Sequence, residues 1–79
     1  MIRDEMTARE ISELMLEIGA RLDHSIESIQ GRCQAEEFAS YRVAVGRIMG
    51  EILLGVLNPL YVLHPDLRPP ELQSPAELQ

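Results

Sequence analysis

The sequence predicts an all-α helical hairpin with a proline-rich C-terminal segment, two copies of which pair into a dimeric four-helix bundle. Three observations carry this. Apolar residues recur at steps of three and four from Ile11 to Cys33, the period of one helix face. A glycine, Gly31, interrupts that pattern before a second helical stretch begins. All five prolines fall between Pro59 and Pro75, so nothing before Pro59 opposes helix through a missing amide.

Residues 1–6 read as an N-terminal extension. Thr7-Ala8-Arg9-Glu10 fits a capping box, with threonine bonding the third helical amide and glutamate returning to the cap. The first helix is therefore expected over about 7–30. Its apolar stripe holds Ile11, Leu14, Met15, Ile18, Leu22, Ile26, Ile29 and Cys33. The repeat at Ile11, Leu22 and Cys33 is nearer a straight helix than a long heptad coil. Glu10, Glu13, Glu17, Arg21, His24 and Glu27 lie off the stripe, on the wet side. Gly31 is expected at the C′ position, where a left-handed conformation ends the helix. A turn there lets two apolar faces meet.

The second helix is expected over about 35–57. Cys33 and Gln34 are poor caps, whereas Glu36 and Glu37 suit the positive end of a helix dipole. One apolar stripe holds Phe38, Tyr41, Val45, Ile48, Met49, Ile52 and Val56; a second holds Ala39, Val43, Gly46, Gly50, Leu53 and Leu57. Together they exceed the face of roughly 100° that an ordinary surface helix buries. Arg47 and Glu51, four apart on the remaining side, are expected to pair. Gly46 and Gly50 share a face and admit a close backbone, offsetting the ~1 kcal/mol each glycine costs a helix. They face either the first helix or another subunit. A helix apolar on two sides needs two neighbours, and the first helix supplies one. Val45, Gly46, Ile48, Met49, Gly50, Ile52, Leu53, Val56 and Leu57 are the expected intersubunit residues, with a two-fold homodimer the expected assembly.

Pro59 is expected to stop the second helix, or to open a short segment over 59–64 capped by Asn58. Leu60, Leu63 and Leu67 are spaced to fold back on the hairpin. Residues 7–64 thus form the hairpin domain and 65–79 a proline-rich tail, extended or disordered by composition. Within it Pro69-Pro70-Glu71-Leu72-Gln73 is nearly echoed by Pro75-Ala76-Glu77-Leu78-Gln79.

Charge and composition exclude several roles. The net charge is −6, from thirteen acidic residues against seven basic ones, and no basic cluster stands out. Such a chain repels phosphate backbones, so no nucleic-acid partner is expected. The lone Cys33 permits no internal disulfide and fits a reducing compartment. The opening MIRDEMTARE carries no apolar segment after its arginine, so no signal peptide is expected. The longest uncharged apolar run, Ile52 to Leu57, falls far short of the ~18 residues of a membrane span. No membrane partner and a cytoplasmic location are the expectation.

No motif for catalysis, cofactor or metal rises above background. Glu10, Glu13, Glu17, His24 and Glu27 hold the only suggestion of a metal, but His24-x-x-Glu27 reverses the Glu-x-x-His order of helical carboxylate centres. They read as a solvated acidic face. Cys33 lacks a neighbouring base and reads as a small hydrophobe or turn residue. Tyr61 and His64 are candidates to line a pocket with Tyr41; packed tyrosine rings with hydroxyls at the edge are the plainer reading. The expected function is a small cytoplasmic interaction protein, a homodimer or accessory subunit without catalysis of its own. The alternative is an antitoxin- or immunity-like protein holding one basic partner on Glu10, Glu13, Glu17 and Glu27. A third reading is a metal- or small-ligand-binding bundle.

Overall fold

The structure, a computed structural model, describes residues 1–70, so the echo at 75–79 lies outside the described residues. The described residues are all-helical, with two long helices joined by a turn. Helix α1 spans Glu5–Ile29 and α2 spans Ala35–Glu51. A π-helical segment, Ile52–Leu57, leads without a break into α3, Asn58–Leu63, and a 3-10 turn follows at Pro65–Leu67.

Helix α1 begins two residues earlier than its expected cap. Asp4 is the N-cap residue, and its carboxylate accepts from the Thr7 amide at 2.9 Å and from the Thr7 hydroxyl at 2.6 Å. Thr7 thus occupies the third helical position, where a free amide needs an acceptor. The capping-box reading at Thr7-Ala8-Arg9-Glu10 is corrected: an aspartate three residues upstream takes the role.

The turn is where Gly31 places it. Gly31 has φ +83°, Gln30 before it has φ −59° and ψ 126°, and the Arg32 amide bonds the Ile29 carbonyl at 2.9 Å. That is a type II turn, whose third residue needs the left-handed region that glycine enters without steric cost. Gln34 then caps α2, and the Glu37 carboxylate accepts from the Gln34 amide at 3.0 Å. Glu37 thereby supplies the start signal that Cys33 and Gln34 lack by residue type.

Pro59 does not stop the second helix. Asn58 is helical at φ −61° and ψ −48°, and its amide bonds the Leu53 carbonyl five residues back. Asn58 is therefore not a cap, and residues 58–63 continue the helix. A proline ring collides with the carbonyl four residues behind it in a regular helix. Widening the preceding turns to the five-residue bonding pattern is one of the few ways to carry a helix past it.

The widening also resets the phase. At 100° per residue, Leu57 would lie about 120° round from Val45. With roughly 4.4 residues per π turn over six residues, Leu57 returns to within about 10° of Val45. Both are buried, at 3% and 2% exposure. Leu60 and Tyr61 follow them into the core, and Ala8 and Ser12 are the buried residues of α1.

Because the helix runs on, Ala35–Leu63 is one continuous helix of 29 residues with a mean hydropathy of 1.5 over its most apolar window. By length and composition this helix is long and apolar enough to cross a membrane, a property that the uncharged run alone does not reveal. The expectation of no membrane partner counted only the uncharged apolar run Ile52 to Leu57.

Candidate interaction surface

Three polar contacts pin the hairpin along its length. Near the turn, the Ser25 and Tyr41 hydroxyls lie 2.7 Å apart, and Ser25 donates to the Leu22 carbonyl at 2.6 Å. At the open end the buried hydroxyls of Ser12 and Tyr61 lie 2.6 Å apart. Beyond them the His64 Nε2 meets the Ile2 carbonyl at 2.8 Å, tying the residues before α1 to the end of α3. Tyr41 thus sits near the turn, away from Tyr61 and His64 at the open end.

Between the two tyrosine contacts the helices leave an apolar groove of about 760 Å³. Met15, Leu16, Gly19 and Ala20 of α1 form one wall, with Asp23 at its end; Met49, Gly50, Ile52, Leu53 and Leu57 form the other. The cause is residue size. Gly19 and Gly50 contribute no side chain, and a Cβ built at either meets nothing within 4 Å. Gly46 is equally open. The alternative in which α1 packs tightly on Gly46 and Gly50 does not hold within this chain.

Outside the groove the second long helix stays bare. Only 17% of its most apolar window is buried. Val43 is 55% exposed, Ile48 49%, Leu53 37% and Leu54 67%. The nine expected intersubunit residues are therefore divided. Val45 and Leu57 are spent inside the hairpin, while Met49, Gly50, Ile52 and Leu53 line the groove with Gly46 beside it. Ile48 lies about 160° round the helix from Gly50, on the other flank, and Val56 is half-buried. Leu54 was missed: it stands four residues after Gly50 on the same face, and neither counted stripe includes it.

The charged residues of the acidic face remain in solvent. Glu10, Glu13, Glu17 and Glu27 are all exposed, as is His24. Among the described residues no group of three His, Cys, Asp or Glu side chains is placed to hold a metal ion. The one ion pair found there joins Arg9 to Glu5 at 3.7 Å, one turn apart on α1. The expected Arg47–Glu51 pair does not form. The Glu51 carboxylate leans the other way, 3.4 Å from where a side chain on Gly55 would begin. Cys33 is an exposed turn residue, its thiol 3.8 Å from the Ile29 carbonyl. The Asp4 carboxyl is held below its ordinary value by the Thr7 hydroxyl and amide, with a smaller contribution from the His64 charge.

A second hollow of about 430 Å³, near the turn, is bounded by Asp23, Ile26, Glu27, Gln30, Phe38 and Arg42. Its charges are of mixed sign and it holds no buried polar group. No family model, characterised protein or solved structure matches this chain, so the groove and the bare flank of α2 define the candidate site on their own residues.

Proposed function

We propose that this chain is a small self-associating helical protein with no catalysis of its own, in which two hairpins bury their open apolar sides on each other as a four-helix assembly. One observation carries the reading: the groove between α1 and α2 and the adjoining flank of α2 are apolar, continuous and uncovered. Among the described residues nine large hydrophobic side chains stand 37% or more exposed, against five apolar residues in the core, and Val43, Leu53 and Leu54 among the nine border the groove or the open face of α2. Single exposed aliphatics are ordinary, but a contiguous patch of this kind marks a binding surface.

The expected strength is modest. Met15, Leu16, Val43, Met49, Leu53 and Leu54 from each copy are already part-buried, so each gains about 1 kcal/mol on further burial. Set against an association cost near the low end of about 4–15 kcal/mol, the sum leaves a dimer in the micromolar range.

Two further readings each have an observation behind them. The apolar length of Ala35–Leu63 fits a lipid bilayer. Against it, inserting that helix breaks the Ser12–Tyr61 and Ser25–Tyr41 contacts or drags the carboxylates of α1 into hydrocarbon. The unpaired Glu10, Glu13, Glu17 and Glu27 fit a basic protein partner, as an antitoxin or immunity protein would. Sedimentation of the purified chain with and without lipid vesicles separates these. A dimer in buffer that ignores vesicles supports the proposal. A monomer that floats with vesicles supports the bilayer, and a monomer that ignores them leaves the acidic face as the working surface.

A further inference from the structure

Resting on the homodimer reading, we infer that the second copy lies antiparallel along α2, with the two-fold axis level with Met49, so that Arg47 of each copy meets Glu51 of the other. Three placements carry this.

The first is an open seam. Taking 100° per residue, and the wider turn after Glu51, Val43, Gly46, Gly50 and Leu54 fall within about 40° of Gly50 on the exposed side of the helix. Val43 and Leu54 are 55% and 67% exposed, and no atom stands within 4 Å of a Cβ at Gly46 or Gly50. The seam therefore has bulky aliphatics at its ends and no side chains at its middle. Antiparallel pairing about Met49 interleaves the glycines of the two copies at the centre and brings Val43 of one beside Leu54 of the other. Parallel pairing instead stacks like residues level with like.

The second placement is charge. Arg47 and Glu51 are exposed and stand one turn apart, yet do not pair, and the Glu51 carboxylate points away from Arg47. Both lie on the same side of the seam, about 60° and 100° round from Gly50. In an antiparallel two-fold dimer, one edge of a helix meets the same edge of its mate with the direction reversed. Position 47 then stands level with position 51 of the other copy, giving two opposite-charge pairs side by side. In a parallel dimer these edges lie on opposite sides of the contact and the charges never meet.

The third is continuity. Gly50 belongs both to the seam and to the groove wall. A helix laid along the seam therefore also covers the groove mouth.

Charge exchange tests the register. The variants are R47E, E51R and the double R47E/E51R, each followed by sedimentation equilibrium at two salt concentrations, with circular dichroism confirming helix content. R47E gathers four carboxylates on one edge of the contact, so its dissociation constant should rise at least about tenfold, most at low salt. E51R gathers four guanidinium groups and should do the same. The double variant restores opposite charges across the axis and should recover the wild-type constant to within about threefold. A wild-type dimer untouched by either single reversal, or a double variant as weak as the singles, overturns the register and leaves the homodimer standing. A wild-type chain that is monomeric at every concentration overturns both.

Discussion

A buried hydroxyl pair, Ser12 and Tyr61 at 2.6 Å, holds the open end of the hairpin shut. Each group satisfies the other where water is excluded, so removing one partner leaves the other unpaired. Tyr61→Phe should cost about 1–3 kcal/mol in urea unfolding, and adding Ser12→Ala should return part of that loss. Equal losses in the single and double variants would mean the contact is incidental. Asp4 gives a pH signature. Its carboxyl is held below its ordinary value in the folded chain, so its contribution is present above about pH 4 and fades as pH falls through the lowered folded value. Asn caps helices as well as Asp but does not titrate. Asp4→Asn should therefore melt like wild type at neutral pH and show a smaller drop in melting temperature on acidification. Neither residue stands out by pattern. Ser12 is polar and so escapes a stripe counted in apolar residues. Asp4 was overshadowed by a threonine–glutamate spacing that fits the same rule one turn later. Gly31, in contrast, was legible because only glycine fits φ +83° cheaply.

At the scale of elements, the turn and the π segment set which faces meet. Gly31→Ala forces a side chain into the left-handed region and should destabilise the hairpin by about 1–2 kcal/mol. The period of the two long helices was readable from Ile11 onward, and so was their meeting through a turn. The fate of Pro59 was not. Periodicity analysis assumes a constant 3.6 residues per turn, and six residues of wider helix shift every later position by about a third of a turn. That shift sends Leu57 inward beside Val45. It predicts a contrast: Leu57→Ala should cost about 2–5 kcal/mol, and Val62→Ala, at a site 80% exposed, within about 0.5 kcal/mol. Similar costs at the two sites would mean that the helix keeps regular phase through Pro59.

For the whole molecule, the decisive feature is what the hairpin leaves open. Two helices bury one stripe each, and the second long helix carries more apolar surface than one neighbour can take. The excess was legible in the sequence from Val43 to Leu57. The groove was not, because it arises from Gly19 and Gly50 facing the same gap across two helices, a coincidence visible only in three dimensions. Gly50→Leu separates folding from association. Leucine favours helix over glycine and meets no neighbour within the chain, so helix content should hold or rise. Its side chain blocks the close approach of a second copy, and the dimer should weaken.

The most direct measurement is the mass of the purified chain in solution, by sedimentation equilibrium across the micromolar range. An assembly of twice the 8.9 kDa chain mass, dissociating on dilution, is the predicted result. A fully helical species that stays at 8.9 kDa up to the highest concentration would show that the exposed side of α2 needs no second copy.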